Sequence, residues 1–161
     1  MMEEVIKMPF IASCPKLIRP GSVNDDIVTN VDFAPTFLDL AGETRPPQMQ
    51  GASFLPNLEG REPCSRREDC YLRYYVEGGE HATSAWYGVR TRTDKLMYYY
   101  KRGEWEYFDL EKDPEELHNG YGDSRYAARI AALKKRLAEL REELGDDDRY
   151  KDAAEYGPIG R

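Results

Sequence analysis

The residues of this chain that could carry chemistry are few and scattered. There are two histidines, His81 and His118, three cysteines, Cys14, Cys64 and Cys70, and an adjacent aspartate pair, Asp25-Asp26. Neither histidine sits in a His-x-x-x-His or Asp-x-His spacing, and the cysteines lack a Cys-x-x-Cys, so the spacing argues against zinc. Cys64 and Cys70 could pair in an oxidising compartment; two unpaired thiols is the reading favoured here. Asp25-Asp26 has the chemistry of a divalent-cation ligand. It also follows a turn and precedes a helical pattern, where the helix dipole favours acids, and that is the reading adopted. No Gly-x-Gly-x-x-Gly or Walker-type loop is present, and Glu77-Gly-Gly-Glu80 flanks its glycines with acids, which suits a turn and repels phosphate. By residue pattern, then, nucleophile, metal cage and anion cradle are all missing.

The elements that would position such groups are easier to read. Of 161 residues, 40% are hydrophobic and 33% charged, which is enough for a core and describes a soluble chain. The net charge of −7 argues against nucleic acid, which needs a basic patch. Arg61, Arg66 and Arg67 are interrupted by Glu62, Glu68 and Asp69 and read as a solvated loop. No apolar run reaches the length of a membrane span, and Glu3-Glu4 stands where a secretory signal would carry positive charge. Either the protein is cytoplasmic or its true N-terminus lies upstream.

Met8–Cys14 is an apolar run ended by Pro15 and reads as a strand. Asp26–Ala41 carries a helical apolar pattern closed by Gly42, with Asp32 capping and Pro35 in the first turn. A proline-rich connection follows, with a helical turn at Ser53–Leu58. Most of the 12 tyrosines fall between Tyr71 and Tyr126, in runs that predict four strands: Cys70–Val76, Ala85–Thr91, Lys95–Tyr100 and Trp105–Leu110. The last three should form an antiparallel meander, with Lys95, Lys101 and Arg102 protecting edges. Tyr126, Ile130, Leu133, Leu137, Leu140 and Leu144 form one stripe of a helix over about Ser124–Leu144, with Asp123 or Ser124 capping and Gly145 ending it. The stripe is expected to dock on the sheet, with Arg141 on the opposite face.

Three stretches add a family resemblance. Pro20–Gly42, with its Asp32-Phe-Ala-Pro-Thr-Phe-Leu-Asp-Leu-Ala-Gly42, and Gln50-Gly-Ala-Ser-Phe-Leu-Pro56 resemble consecutive segments of sulfatases. Tyr87-Gly-Val-Arg-Thr91, Lys95-Leu-Met97 and Trp105–Glu116 are similar to the C-terminal pattern of that family. Glu3–Phe10 resembles the stretch just downstream of the family's catalytic core. The resemblance runs in order up to Gly145 and points to a C-terminal domain of the glycan-sulfatase or N-sulfoglucosamine sulfohydrolase kind.

The resemblance implies an enzyme related to alkaline phosphatase that hydrolyses sulfate esters or sulfamates of glycans. In an intact member, a formylglycine nucleophile made from a Cys-x-Pro-Ser-Arg motif stands beside a calcium ion, which neutralises and polarises sulfate. In this chain Pro63-Cys-Ser-Arg66 sets its proline on the wrong side of Cys64, and Cys14-Pro15-Lys16 also fails. No catalytic or metal-binding residue is therefore assigned, and no cofactor is expected from this chain itself. The resemblance also places His81 and Trp86 on a wall of the substrate pocket, for a hydroxyl or sulfate contact and for stacking on a sugar ring. Against that, His81 reads equally as an exposed loop residue. Trp86 reads better as a strand core residue, because related sulfatases have a histidine there. His118 is expected at the surface.

The expected fold is α+β: a four-stranded antiparallel sheet packed by a C-terminal helix, preceded by a strand-helix remnant of an α/β catalytic domain. Residues 1–60 form the catalytic-domain edge, 61–145 the sheet subdomain and 146–161 a flexible tail. The expected function is the C-terminal segment of a sulfatase acting on a sulfated carbohydrate, inactive alone. It would associate with itself or with a separate catalytic half, and bind neither nucleic acid nor membrane. The alternative is a non-catalytic binding module reusing this fold. Intact relatives of the resembled family are usually periplasmic, secreted or lysosomal.

Overall fold

The structure, a computed structural model, describes residues 3–61, 67–76 and 83–149. In chain order its elements are α1 (Glu3–Ile6), α2 (Phe33–Leu40), α3 (Leu55–Leu58), β1 (Asp69–Tyr74), β2 (Trp86–Thr91), β3 (Asp94–Tyr99), β4 (Glu104–Asp109) and α4 (Ala127–Glu143). The described residues fall into two compact units, one within Met1–Lys7 and Asp69–Arg161, the other within Met8–Glu68. Helix α1 belongs to the unit that holds the sheet.

In the sheet unit the strands follow one another as β1-β2-β3-β4, each antiparallel to the next. Period-two alternation gives the sheet two apolar faces. On one, Val89, Leu96 and Tyr107 receive Ile130, Leu133, Leu137 and Leu140 of α4. On the other, Trp86, Met97, Tyr99 and Phe108 cluster. The register pairs Phe108 with Lys95 and Tyr107 with Leu96, so it is Tyr107 that shares the face of Leu96.

The start of α4 is held by Asp123, whose carboxylate accepts the Arg125 N–H at 2.9 Å; a 3-10 turn, Ser124–Tyr126, leads in. Its end is fixed by Gly145 at φ +67°, a left-handed position that a Cβ would strain. Two arginines of the helix reach the sheet. Arg129 binds Asp94 and Asp109 at 2.7 and 2.8 Å, and Arg136 binds Asp69 at 2.6 Å.

Arg141 differs from expectation. It stands four residues after Leu137, at the margin of the apolar stripe. Its guanidinium lies 4.3 Å from the Tyr87 ring centre and donates to the Tyr87 hydroxyl at 3.1 Å. The first residues of the segment read as a tail are also fastened: Asp146 and Asp148 bind Arg73, at 3.0 and 2.9 Å.

In the Met8–Glu68 unit a 3-10 turn, Asn30–Asp32, runs into α2. Pro35 lies in the first turn of α2, where no intrahelical N–H is needed. Asp32 stands at the N-cap of α2, as the sequence pattern placed it, and it reaches back, its Oδ2 accepting the Thr29 N–H at 2.7 Å and the Thr29 hydroxyl at 2.8 Å.

The strand expected at Met8–Cys14 is not formed. A strand needs neighbours for its backbone groups, and no β-strand lies among the described residues of this unit. Phe10 instead sets its ring edge-on to Phe33 and Phe54, at 5.1 and 5.7 Å between centres. Much of the unit's apolar surface faces outward: Ile11 is 91% and Phe37 64% exposed, and Met8, Val23, Val31 and Leu40 are exposed as well. No helix of the described residues is long and apolar enough to cross a membrane.

Candidate functional site

Of the residues expected to face a substrate, His81 lies outside the described residues, as does Cys64. Trp86 opens β2 and is 2% exposed, packed with Met97, Tyr99 and Phe108. Its indole Nε1–H is buried and meets no hydrogen-bond acceptor among the described residues. Natural proteins rarely leave such a donor unpaired, so its acceptor is to be sought beyond the described residues. The residues before it, Ser84 and Ala85, are also buried. His118 is exposed, and its backbone N–H donates to Asp113. Cys14 is an exposed free thiol, and Cys70 is buried on β1.

The ionisable groups that do converge are cation–carboxylate clusters, and they coincide with the recognised motifs. Lys95, fully buried on β3, pairs with Glu116 and stands 3.7 Å from Glu3. Glu3 in turn pairs with Arg90, and its N–H donates to Glu116 at 2.7 Å. Thus the Glu3–Phe10, Tyr87–Thr91, Lys95–Met97 and Trp105–Glu116 stretches meet in one charge-balanced knot that fastens α1 to the sheet unit. Lys95 guards no edge, since β3 is an interior strand. A buried ammonium survives only when paired.

A second cluster joins the other motifs. Asp32, buried after the 3-10 turn, accepts both guanidinium nitrogens of Arg67 at 2.5 and 2.8 Å and the Ala52 N–H at 2.9 Å. Burial alone would raise its pKa; hydrogen bonds from Arg67, Ala52 and Thr29 outweigh that and hold it below the ordinary carboxylate value. Thr36 donates to the Asp32 carbonyl at 2.7 Å and accepts the Phe54 N–H at 3.0 Å. Gly51 lies so close to the Val31 carbonyl that any Cβ there would clash. The Asp-Phe-Ala-Pro-Thr and Gln-Gly-Ala-Ser-Phe runs are therefore two halves of one fastening.

These clusters bear on the calcium that the resemblance implies. Among the described residues no group of three or more His, Cys, Asp or Glu side chains is placed to hold a metal. Asp26 accepts from the Asn57 side chain at 2.8 Å within a turn. Asp32, Glu3, Glu116 and Asp109 are matched to Arg or Lys. The donor set for calcium does not fit the described residues, and no catalytic step is assigned to them.

A four-stranded meander roofed by one helix, with fastenings built from sulfatase motifs, defines the C-terminal region of a sulfatase. Residues 1–143 match the family N-sulphoglucosamine sulphohydrolase, C-terminal, and the chain belongs to it. It is 42% identical to an N-acetylglucosamine-6-O-sulfatase of Bacteroides thetaiotaomicron, over 92% of this chain and 27% of that protein. It is 34% identical to an arylsulfatase of Clostridium perfringens, over 91% of this chain and 29% of that one. A protein solved in complex with its substrate D-glucosamine-2-N,6-O-disulfate superposes with a TM-score of 0.80 at 40% identity, covering 86% of this chain and 28% of that chain. The chain thus spans under a third of the length of the curated relatives it matches.

Proposed function

We propose that these 161 residues are the C-terminal region of a sulfatase that removes sulfate from a sulfated amino sugar. The nucleophile and metal ligands would come from polypeptide outside this segment, continuous with it or separate. The observation that carries the reading is the family match over residues 1–143, with motifs that form the fold's fastenings. The amino sugar is taken from the names of the similar proteins, an N-acetylglucosamine-6-O-sulfatase and a protein bound to a disulfated glucosamine.

Within this reading His81 and Trp86 belong to the wall of the substrate pocket. The indole N–H of Trp86, without an acceptor among the described residues, supports a contact completed by a group beyond them. The exposed apolar residues of the Met8–Glu68 unit, Ile11 and Phe37 among them, support a seat for the catalytic portion. A large exposed apolar patch marks an interaction surface.

A hybrid enzyme tests this. The corresponding region of the Bacteroides N-acetylglucosamine-6-O-sulfatase is replaced by this chain, and hydrolysis of N-acetylglucosamine 6-sulfate is followed with calcium present. The hybrid is expected to turn over and the isolated chain to stay at the buffer rate. His81→Ala and Trp86→Ala should raise KM of the hybrid. A folded hybrid with no turnover would favour the non-catalytic binding module instead.

A further inference from the structure

Arg73, on β1, is a charged side chain only 6% exposed, and its surroundings are unlike those of the other buried cations. Three tyrosine rings flank its guanidinium: Tyr75, Tyr100 and Tyr87, at 4.6, 4.9 and 5.1 Å from ring centres. Both acids that neutralise it, Asp146 and Asp148, converge on the same nitrogen, Nη1, at 3.0 and 2.9 Å. The other two nitrogens, Nε and Nη2, are buried and make no hydrogen bond of good geometry among the described residues, although the Tyr71 hydroxyl, itself bound to Asp146, lies close enough to favour the charged guanidinium against its burial. Those two N–H groups form the edge of a guanidinium that grips a carboxylate, sulfate or phosphate with two parallel bonds.

The Tyr100 hydroxyl is buried beside them and makes no hydrogen bond of good geometry among the described residues. Burial raises its pKa and the nearby Arg73 opposes the rise, yet no bond of good geometry links the two. Arg141 adds a second positive charge, stacked on Tyr87 and paired with Asp148 at 2.7 Å. Two arginines walled by tyrosines thus present an unused two-pronged edge, while Asp146 and Asp148, just beyond the end of α4, occupy the remaining cationic positions. Asp148 holds a left-handed backbone at φ +61°, a conformation that a non-glycine residue adopts at a cost.

We propose that Arg73, Arg141 and Tyr100 form an oxyanion site plugged by Asp146 and Asp148, and that its ligand is a sulfate group carried on a saccharide. The oxyanion site rests on the unpaired edge of Arg73; the choice of a sulfated sugar rests on the sulfatase reading. The tyrosine rings supply the apolar faces on which a pyranose packs, and the edge of Arg73 supplies two donors to sulfate oxygens. The plug makes binding competitive with the chain's own carboxylates, so removing one of them strengthens it.

The test is calorimetric titration of the full 161-residue chain with N-acetylglucosamine 6-sulfate, N-acetylglucosamine and sodium sulfate. The sulfated sugar is expected to bind and the neutral sugar not. Arg73→Lys, which keeps the charge and removes the fork, should weaken binding at least tenfold, and Asp148→Asn should tighten it severalfold. If Arg73→Lys does not fold, Tyr100→Phe, which loses only the hydroxyl, should weaken binding severalfold. No binding of the sulfated sugar, equal binding of the neutral sugar, or variants indistinguishable from the parent would each overturn the site. Free sulfate binding as tightly as the sulfated sugar overturns the saccharide assignment. Since no turnover is measured, failure here leaves the hybrid result standing, and a silent hybrid leaves this binding measurable.

Discussion

The two units of this molecule treat their apolar residues in opposite ways. The sheet unit encloses them: Val89, Leu96, Tyr107 and Leu137 are buried between strand and helix. The Met8–Glu68 unit gathers Phe10, Phe33 and Phe54 yet leaves Ile11, Phe37 and Leu40 outward. A helix laid across one meander closes a core. Two short helices and an unpaired extended segment do not, and their buried polar fastening around Asp32 sets geometry without closing a core. Only the first unit contains what a self-sufficient fold needs.

The sharpest way to break that contrast is to open the knot beneath the sheet. Lys95→Met leaves Glu116 buried beside Glu3 without its ammonium, and losing one partner of a buried pair typically costs ~3–5 kcal/mol. Both tryptophans, Trp86 and Trp105, lie in the sheet unit, so their fluorescence during urea unfolding reports this unit alone. An unchanged midpoint would mean that the knot contributes nothing. Leu137→Ala, read the same way, should cost ~2–5 kcal/mol; a parental melting temperature would show α4 undocked.

Acid should act on the other unit through Asp32. Its folded pKa lies below the unfolded-chain value of 3.8, so the unfolded chain binds the proton more readily. Its contribution is complete above that value and drains away as the pH falls through the folded pKa. Asp32→Asn should remove the corresponding acid-dependent loss, followed by far-UV circular dichroism between pH 5 and pH 2. Acid profiles that superimpose for parent and variant would contradict the assignment.

Smaller effects sharpen the comparison. Arg141→Ala loses the stack on Tyr87, worth about 0.5–1 kcal/mol, and should lower the tryptophan-reported midpoint slightly. Phe37→Lys, on the exposed side of α2, should change stability by no more than ~0.5 kcal/mol but reduce association in light scattering and binding of an apolar dye. If the dye signal persists, the exposed face is not where the dye binds.

What the residues disclose in advance follows the range of the forces. The stripe Ile130-Leu133-Leu137-Leu140 and the tyrosine runs are local periodicities, and α4 and the four strands formed where those periods fall. Lys95 was legible as a charge in a strand but not as a buried one. Its partners are 21 residues ahead in the Glu116 loop and 92 residues back at Glu3, and nothing local records that meeting. The clue available was the apolar run Leu96-Met97 beside it, which marks an interior strand. Met8–Cys14 has the composition of a strand, yet strand formation depends on a neighbour that composition does not supply. For the candidate wall, sequence offered Trp86 both as a stacking surface and as core. Its unpaired indole N–H is a three-dimensional fact with no sequence signature.

The burial of Lys95 also bears on the order in which the protein can be made. Synthesis runs from the N-terminus, so Glu3 and Arg90 emerge before Lys95, whereas Glu116 and every leucine of α4 emerge after it. A nascent β2-β3 hairpin therefore carries an ammonium whose main carboxylate is still inside the ribosome, and desolvating it at that stage is unfavourable. The hairpin must stay wet until about twenty more residues have been added. Translation thus holds the sheet open until the segment that neutralises it arrives, delaying collapse before α4 is there to cover the exposed strands.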